Sequence, residues 1–525
     1  MDRWQTKSIM LEGGLVRNED SLIQGAMKPG SLIQGLNFEP GLKGGYRRIS
    51  GFQKFDEDAI PGEGPILGLF IFDNTVVGCR DVGIYTSVGS GWSRINPGDD
   101  RSGAVRYRAA EYNWGTPTMI LVDGQNTPVK YTPQAAETYT LLTAAPIGAE
   151  TVTEFKSHIF FSKGPYIYFS QPNDDEGFDP ALGAGQINTG HDIIGMKQWR
   201  NDLYVFHRKG IQRLTGYNKT DFRIEPVTKD IGCLDADTIQ EISGDVVFLA
   251  SDGIRTIAGT ERIGDVELAS ISRQVQDLIL EHIAQVGTYG IFSSVVIRAK
   301  AQYRVFITRD IIPVEEAGGV LGGLRQGSDG NLRWEWFQLK GFKVAASHSG
   351  FIGPNEYVVH GDWNGYVYRQ EEGNTLDGEV IDARLQTPFM PLDDPAIRKT
   401  LYKLKVLLAL EGPTSVTVSP RFDYEDAGVV QPPPVRLVMD IGGFSLFDDP
   451  STAFADDDGT VPVPEGENPV EPLSPSLFDA NPTPQTSVQI NGSGMLVSFA
   501  FYGDENSPPF SVKSIIMQYA LGGRR

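Results

Sequence analysis

The chain has 525 residues, with 67 acidic against 46 basic side chains and a formal net charge of −21. One hydrophobic core rarely serves a chain of this length, so we expect two to four domains or one large closed β fold. The charge argues against a protein that wraps duplex DNA by neutralising phosphates, because that mode needs lysine and arginine gathered in a patch.

The two cysteines, Cys79 and Cys233, provide no disulfide framework, so folding in the cytosol is expected. No apolar run reaches the roughly 18–20 residues needed to cross a bilayer. The start MDRWQTKSIMLEGG lacks the apolar core and cleavage site of a signal peptide. The sequence therefore predicts a soluble protein with no membrane span and no export signal in this segment.

A glycine-rich block, Gly13–Phe52, dominates the first part of the chain. It contains Lys28-Pro29-Gly30, a turn sequence in which proline presets φ near −65° and glycine accepts positive φ. Gly44-Gly45 then precedes Tyr46–Arg48, an aromatic residue and two cations beside a permissive backbone. We predict an extended N-terminal arm over residues 1–60.

From Ile66 to Gln370, short apolar strands alternate with Gly, Asp, Asn and Pro turns. The first unit, Ile66–Ile95, predicts a four-stranded antiparallel meander with turns at Asp73-Asn74 and Gly89–Gly91. Units begin near residues 66, 105, 156, 193, 242, 292 and 342, close to the roughly 40–50 residues of a propeller blade. We predict an all-β chain with a β-propeller over residues 61–370, of seven blades or alternatively six.

One helix is predicted, over Ser270–Gln285, as an insertion after the fifth blade. Ser270 or Ser272 is expected to cap it. Its apolar residues recur every four positions: Ile271, Val275, Ile279 and Ile283.

The composition changes after Gln370. Val380–Glu425 and the last forty residues again have the pattern of strands, which predicts a C-terminal β-sandwich-like domain within residues 371–525. Between them, residues 422–480 contain thirteen acidic side chains and one arginine. Prolines and like charges oppose a packed core, so this stretch is expected to be a long acidic insertion.

The search for catalytic chemistry is mostly negative. The six histidines form no H-E-x-x-H or H-x-H pair, and no G-x-S-x-G or phosphate-loop motif occurs. A propeller glycosidase would need two carboxylates at a defined separation. Asp362, Glu335 and Asp252 are candidates, but two of them fit turns and Glu335 fits a strand between two tryptophans. We therefore predict no enzymatic activity, no cofactor and no metal.

The order GG, PG-x-L, N-F-E, GGYRR and GF in Gly13–Phe52 resembles the N-terminus of tail nozzle and tail hub proteins of short-tailed bacteriophages. The pattern PPF-x-V-x-x-I from Pro508 and the ending GGRR are also similar to theirs. The resemblance covers the N-terminal block well and the remainder by architecture alone. Proteins of that family form sixfold rings, close the tail below the portal and adaptor, and hold packaged DNA.

The resemblance implies a virion structural protein that folds in the host cytoplasm and forms a cyclic homo-oligomer, with a hexamer expected. Its partners would be tail adaptor or portal-proximal ring proteins and a tail fibre or needle protein. Double-stranded DNA would pass through without sequence-specific binding, because an acidic wall repels phosphates within a Debye length of about 8–10 Å.

Two sets of residues are the candidates for these roles. Subunit or partner contacts are expected at Tyr46, Arg47, Arg48, Arg524 and Arg525. An acidic loop that lines or gates the lumen is expected at Asp448, Asp449, Asp456, Asp457 and Asp458. Two alternatives stay open, namely a propeller-fold carbohydrate-active enzyme of the virion and a monomeric propeller scaffold that recruits other proteins.

Overall fold

The computed structural model describes residues 4–18, 27–133, 138–258, 270–327, 330–392, 394–439, 485–503 and 506–522. Over these residues the regular secondary structure is almost entirely β-strand, with a single α-helix. The strands form a propeller and a two-sheet sandwich, and strands from the N-terminal segment belong to both. The predicted fold class is confirmed.

The N-terminal segment forms five strands, each of which pairs with a distant part of the chain or with a neighbour that does. They are β1 (Trp4–Met10), β2 (Gln34–Leu36), β3 (Phe38–Pro40), β4 (Tyr46–Arg48) and β5 (Phe52–Lys54).

Blades 1 to 4 are four-stranded antiparallel meanders in which each strand pairs with the next one in sequence. In blade 1 the first hairpin closes at Asp73 and Asn74, both with positive φ, as a two-residue turn between twisted strands requires. The strands are β6 (Ile66–Phe72), β7 (Thr75–Arg80), β8 (Gly83–Ser87) and β9 (Ser93–Arg94) in blade 1; β10 (Arg108–Asn113), β11 (Pro117–Val122), β12 (Val129–Thr132) and β13 (Thr138–Leu141) in blade 2; β14 (Thr151–Phe155), β15 (His158–Lys163), β16 (Tyr166–Phe169) and β17 (Gly185–Asn188) in blade 3; and β18 (Ile193–Trp199), β19 (Asp202–His207), β20 (Ile211–Thr215) and β21 (Arg223–Thr228) in blade 4.

Blades 5 to 7 depart from this simple meander. Blade 5 has three strands, blade 6 has four, and blade 7 takes its fourth strand from the N-terminal segment, because β5 pairs antiparallel with the last strand of that blade. The elements are β22 (Gln240–Ile242), β23 (Asp245–Ala250) and β24 (Gly253–Thr256) in blade 5; then α1 (Gln276–Val286); β25 (Ile291–Ile297), β26 (Gln302–Thr308), β27 (Gly318–Gln326) and β28 (Leu332–Lys340) in blade 6; and β29 (Ala346–Ile352), β30 (Asn355–Gly361) and β31 (Val367–Gln370) in blade 7.

The seven sheets close into a ring. Apolar clusters lie between successive blades, and one of them joins blade 7 to blade 1 through Val359, Val367, Ile66 and Leu69. Between blades 6 and 7 the apolar contact belongs to the cluster that also fills the sandwich. The second strand of most blades is buried on both faces because a neighbouring blade covers each side. This explains why these strands read as continuous apolar runs and confirms the prediction of seven blades.

The helix begins later than predicted. A 3₁₀ turn, Arg273–Val275, precedes α1, and α1 extends to Val286. Neither predicted cap is used, because the Ser272 hydroxyl accepts a hydrogen bond from the Ile254 backbone N–H instead (2.8 Å). The apolar side of α1 packs into the cluster between blades 5 and 6.

The sandwich consists of two sheets around one core. The first has the order β3-β4-β40-β35-β38, with β1 also on β40; the second has the order β2-β34-β39-β36-β37. Its strands are β34 (Ala383–Gln386), β35 (Lys399–Leu410), β36 (Thr414–Phe422), β37 (Val435–Met439), β38 (Gln485–Gly494), β39 (Val497–Gly503) and β40 (Phe510–Leu521), preceded by the hairpin strands β32 (Thr375–Leu376) and β33 (Glu379–Val380), which extend the sheet of blade 7.

β2 joins the two parts of the molecule. It pairs in parallel with β28 of blade 6 and antiparallel with β34 of the sandwich, which makes one continuous nine-stranded sheet. The segment predicted as a separate extended arm is thus built into the body over residues 4–18 and 27–54. Extended backbone needs partners for its N–H and C=O groups, and here both units supply them.

The first part of the predicted acidic insertion, residues 422–480, contributes a strand to the sandwich. Residues 435–439 form β37, which pairs antiparallel with β36 from Thr414↔Met439 to Val418↔Val435. The predicted lumen residues, from Asp448 to Asp458, lie outside the described residues, as do Arg524 and Arg525.

Candidate functional site

Tyr46, predicted at a partner surface, lies in the interior of the subunit. Its hydroxyl donates to the Gly30 carbonyl (3.0 Å) and accepts from the Gly14 N–H (2.8 Å). Burial, followed by the nearby Glu335 carboxylate, raises the pKa of Tyr46. Gly45 belongs to the same close contact, since a Cβ there would lie 2.3 Å from the Val512 carbonyl oxygen. The tyrosine and the glycines of the motif therefore pack the chain against itself.

The two arginines that follow are also engaged within the subunit, which corrects the expectation of an exposed cation pair. β4 alternates, so Tyr46 and Arg48 point inward and Arg47 points outward. Arg48 is fully buried and donates to the Ser507 carbonyl. Burial, with the like charge of Arg47, lowers the pKa of Arg48 to about 10.

Arg47 belongs to an ionic group that we call the joint cluster, in which Glu39 and Arg304 are buried and the other members are half-buried: Glu39, Arg47, Lys300, Arg304 and Glu371. Glu39 accepts from Arg47 (2.6 Å), Lys300 (2.7 Å) and Arg304 (3.3 Å). Glu371 pairs with Lys300 and Arg304. Burial alone would raise the pKa of Glu371, but Arg304 and Lys300 outweigh it and lower the pKa to about 2.

The joint cluster fastens three elements together. Glu39 comes from β3 of the sandwich, Lys300 and Arg304 from blade 6, and Glu371 follows blade 7. Sequence analysis missed this cluster. The available signal was Arg304 within the otherwise apolar run Gln302–Thr308, since a cation there needs a buried partner.

A cavity of about 710 Å³ lies on the propeller axis and is lined by residues from all seven blades. On part of its wall, Asp237 binds two arginines, Arg106 and Arg108, with 2.8 Å between Arg108 Nε and Asp237 Oδ1. Burial would raise the pKa of Asp237, but the two guanidinium groups outweigh this and lower it. Lys197, Arg298 and His348 stand elsewhere on the wall.

A second cavity, of about 700 Å³, lies beside blade 7. It combines the aromatic side chains of Phe52, Trp363 and Tyr368 with several carboxylates, including Asp362. Asp362 Oδ1 accepts from the Asn364 N–H (2.9 Å) and the Tyr366 N–H (2.8 Å), as its turn sequence predicts. Burial raises the pKa of Asp362 although these N–H groups oppose the shift. We call this cavity the blade 7 cleft.

The other two candidate carboxylates lie elsewhere. Glu335 is buried, accepts from the Gly13 N–H (2.7 Å) and pairs with Arg325 (3.2 Å), so it holds the N-terminal segment onto β28. Asp252 pairs with Arg255 in the turn between β23 and β24. Neither of them lines the blade 7 cleft, so neither can form a catalytic pair with Asp362 there.

Within the described ranges, no three His, Cys, Asp or Glu side chains come together in a way that could hold a metal ion. None of the helices in the same part of the chain has the length and hydropathy required to traverse a bilayer.

No protein-family model matches this chain, and no curated protein matches its sequence. Solved structures with similarity include an ancestral GH74 enzyme, at 13% identity and TM-score 0.39, with 64% of this chain and 50% of that chain covered. The WD40 β-propeller domain of Doa1 matches at 8% identity and TM-score 0.33, with coverage of 61% and 97%.

A third similar structure is the extracellular domain of a hybrid two-component system protein from B. thetaiotaomicron. It matches at 10% identity and TM-score 0.39, over 61% of this chain and 42% of that one. The chain thus spans half or less of the length of two of these three structures. The chain is a β-propeller protein, an assignment that rests on its own ring of seven sheets.

Proposed function

We propose that this chain is a structural subunit of a phage tail nozzle or hub, which assembles into a cyclic ring and lets genomic DNA pass. The observation that carries the proposal is the place of the N-terminal motif. Glu39 of N-F-E pairs with Lys300 and Arg304 of blade 6 and with Arg47 of GGYRR, so it holds the sandwich against the propeller. A motif used for this purpose fits a subunit that must keep two units in a fixed relative position inside an assembly.

The charge of the chain supports the conduit part of the proposal. A net charge of −21 per copy is multiplied around a ring. Carboxylates that face a lumen repel phosphates and keep a duplex away from the wall, so the duplex slides without binding.

Ring closure by head-to-tail contacts needs two different complementary surfaces on every copy. The outer side of the first sandwich sheet is suited to be one of them. Its strands β1, β35, β38 and β40 contain no aspartate or glutamate, and the lysines that alternate with their buried residues are Lys403, Lys405 and Lys513. Trp4 and Tyr402 are 47% and 52% exposed there, with ring centroids 4.4 Å apart. In this acidic chain, a basic and aromatic sheet complements the remaining surface.

The proposal is tested by mass and shape in solution. Light scattering and negative-stain electron microscopy should reveal a ring for the wild-type protein, alone or with its adaptor ring. The double variant Lys403→Glu/Lys405→Glu should lower the mass towards that of the monomer. Lys209→Glu/Lys219→Glu, two exposed lysines in blade 4, makes the same charge change and should leave the ring intact. A wild-type protein that stays monomeric with adaptor present contradicts the proposal and favours the monomeric scaffold.

The blade 7 cleft favours a second candidate function, a carbohydrate-active enzyme of the virion. Aromatic side chains beside carboxylates suit a sugar ring with its hydroxyl groups, and a carboxyl of raised pKa suits a general acid. Turnover of a host surface glycan that is abolished by Asp362→Asn would support this candidate. Absence of turnover across cell-surface glycans of the host would leave the structural function alone.

A further inference from the structure

Two cationic side chains, Lys197 and Arg298, line the axial cavity together with His348. Lys197, on the inner strand of blade 4, forms no hydrogen bond or ion pair with any described residue, although it is only partly accessible. Arg298 donates to the Ser349 hydroxyl (3.2 Å) and stands 3.5 Å from Glu356. Both side chains line the cavity.

His348 adds a neutral donor to the same wall. Its Nδ1 accepts a hydrogen bond from the Ile71 backbone N–H (3.2 Å), so in the neutral ring the proton lies on Nε2. Burial, with Arg298 and Lys197 nearby, lowers the pKa of His348 to about 4, which keeps the ring neutral at pH 7. The imidazole is therefore fixed as a donor through Nε2–H.

Two carboxylates near the cavity already have partners. Asp237 is held by Arg106 and Arg108. Glu356 accepts from the backbone N–H groups of Arg298 (2.8 Å) and Ala299 (3.0 Å). Asp73 also lines the cavity, as does Glu111. Glu111 reaches water in the cavity, yet the inner strands around it desolvate its carboxyl and raise its pKa to about 7, with Lys197 opposing the shift.

Burial and the neighbouring charges together lower the pKa of Lys197. Burial lowers it, and Arg298 lowers it further, while Glu241 and Glu111 act in the opposite direction without restoring the ordinary value. Lys197 and Arg298 thus repel each other within the cavity, and Glu356 pairs with Arg298 (3.5 Å) whereas Lys197 has no ion pair with any described residue. A bound anion would relieve this repulsion, which is the electrostatic condition for an anion site.

We propose that the axial cavity is a binding site for a small oxyanion, a phosphate or a carboxylate, held by Lys197, Arg298 and His348. The lysine and arginine supply charge-assisted hydrogen bonds, and His348 and the serine hydroxyls on the wall supply neutral ones. The cavity volume falls within the roughly 300–1,000 Å³ of small-molecule sites. The inference goes beyond the proposed function and does not depend on it.

Isothermal titration calorimetry of the full chain tests the site, with sulfate, phosphate and citrate as separate probes in chloride buffer of constant ionic strength. At least one probe should bind, and Lys197→Met should weaken that binding at least tenfold. Lys209→Met removes an exposed lysine from the same blade and should change nothing. Lys197→Arg should retain part of the affinity, and unchanged thermal unfolding would show that Lys197→Met is folded.

The probes separate the sources of the oxyanion. Preference for phosphate over citrate assigns a phosphate site, and the reverse assigns a carboxylate site. The proposal is overturned if none of the three anions binds, or if Lys197→Met binds as well as the wild-type protein.

The pH dependence gives an independent check with sulfate, which does not titrate near neutrality. Between pH 8 and pH 6 Glu111 gains a proton, so its repulsion of the anion disappears and the affinity should rise. Glu111→Gln should bind at pH 8 as tightly as the wild-type protein binds at pH 6; a pH response that survives this substitution contradicts the role of Glu111. The other charged or titratable groups that face the cavity or its lysine are Asp73, Arg106, Tyr107, Arg108, Lys197, Asp237, Glu241, Arg298 and His348.

Discussion

Glu39 offers the sharpest test of how the two units are joined. It is 1% exposed, and the glutamate accepts hydrogen bonds from Arg47, Lys300, Gln302 and Arg304. Glu39→Gln keeps the shape of the side chain but leaves the cations short of one buried negative charge. Breaking a buried ion pair by removing one partner costs about 3–5 kcal/mol, and we expect a loss of that size.

A matched control exists because Arg47 has a second carboxylate partner. Glu411 binds Arg47 at 2.5 Å, but its side chain is 46% exposed. Exposed pairs are worth about 0–1 kcal/mol, so Glu411→Gln should change the free energy of unfolding by no more than that. Both substitutions remove one negative charge next to the same arginine, but Glu39 is buried and contacts three cations, whereas Glu411 is exposed and contacts Arg47 alone.

Urea unfolding followed by tryptophan fluorescence measures the difference, since seven tryptophans are distributed over the chain. Limited proteolysis gives a second readout, because a weakened joint should expose the segment between β3 and β5 to cleavage. If the two variants differ by less than about 1 kcal/mol, the joint cluster does not hold the units together in the way we describe.

Three further predictions concern other described features. Because the pKa of Glu371 is lowered, the ionised glutamate stabilises the folded protein above about pH 4.5, and this stabilisation is lost as the pH falls towards 2. Glu371→Gln should therefore make the free energy of unfolding, measured by acid unfolding, less dependent on pH over that interval. Gly51→Ala would place a Cβ 1.9 Å from the Thr375 carbonyl oxygen and should lower the free energy of unfolding by about 1–3 kcal/mol or more, whereas Gly428→Ala, which meets only a side-chain oxygen at 3.1 Å, should have little effect on the same urea curves. Burial raises the pKa of both thiols, that of Cys233 to about 12, so a thiol reagent at pH 8 should leave the native protein unmodified and label two groups after unfolding; rapid labelling of the native protein would contradict their burial.

The propeller could be predicted from the sequence because most of its strands pair with the next strand along the chain. Turn residues such as Asp73-Asn74 and Gly89–Gly91 mark the ends of strands within one blade, and neighbouring strands pair with each other. The predicted starts of blades 1 and 4, residues 66 and 193, coincide with the first residues of β6 and β18. Central strands were recognisable because blades bury them on both sides.

The joint could not be predicted in the same way. β2 and β5 have three residues each, too few for a periodic pattern, and their partners lie about three hundred residues away in sequence. The Tyr46–Arg48 strand illustrates the consequence. Two adjacent arginines suggest an exposed surface, but the side chains of β4 alternate in direction, so Arg48 points into the core. There it donates a hydrogen bond to the carbonyl of Ser507, which is distant in sequence. The axial cavity was missed for the same reason, since its wall is assembled from short stretches of all seven blades.

The pairing of β5 with blade 7 and of β1 with β40 sets a condition on synthesis. The ribosome makes β1 and β5 first, yet β31 emerges some three hundred residues later and β40 later still. A nascent chain can therefore shape its early blades during translation, but it cannot seal the ring before β31 emerges or finish the sandwich before β40 emerges. Prematurely terminated products would keep open sheet edges and remain substrates for chaperones and proteases, so only full-length translation yields a closed molecule.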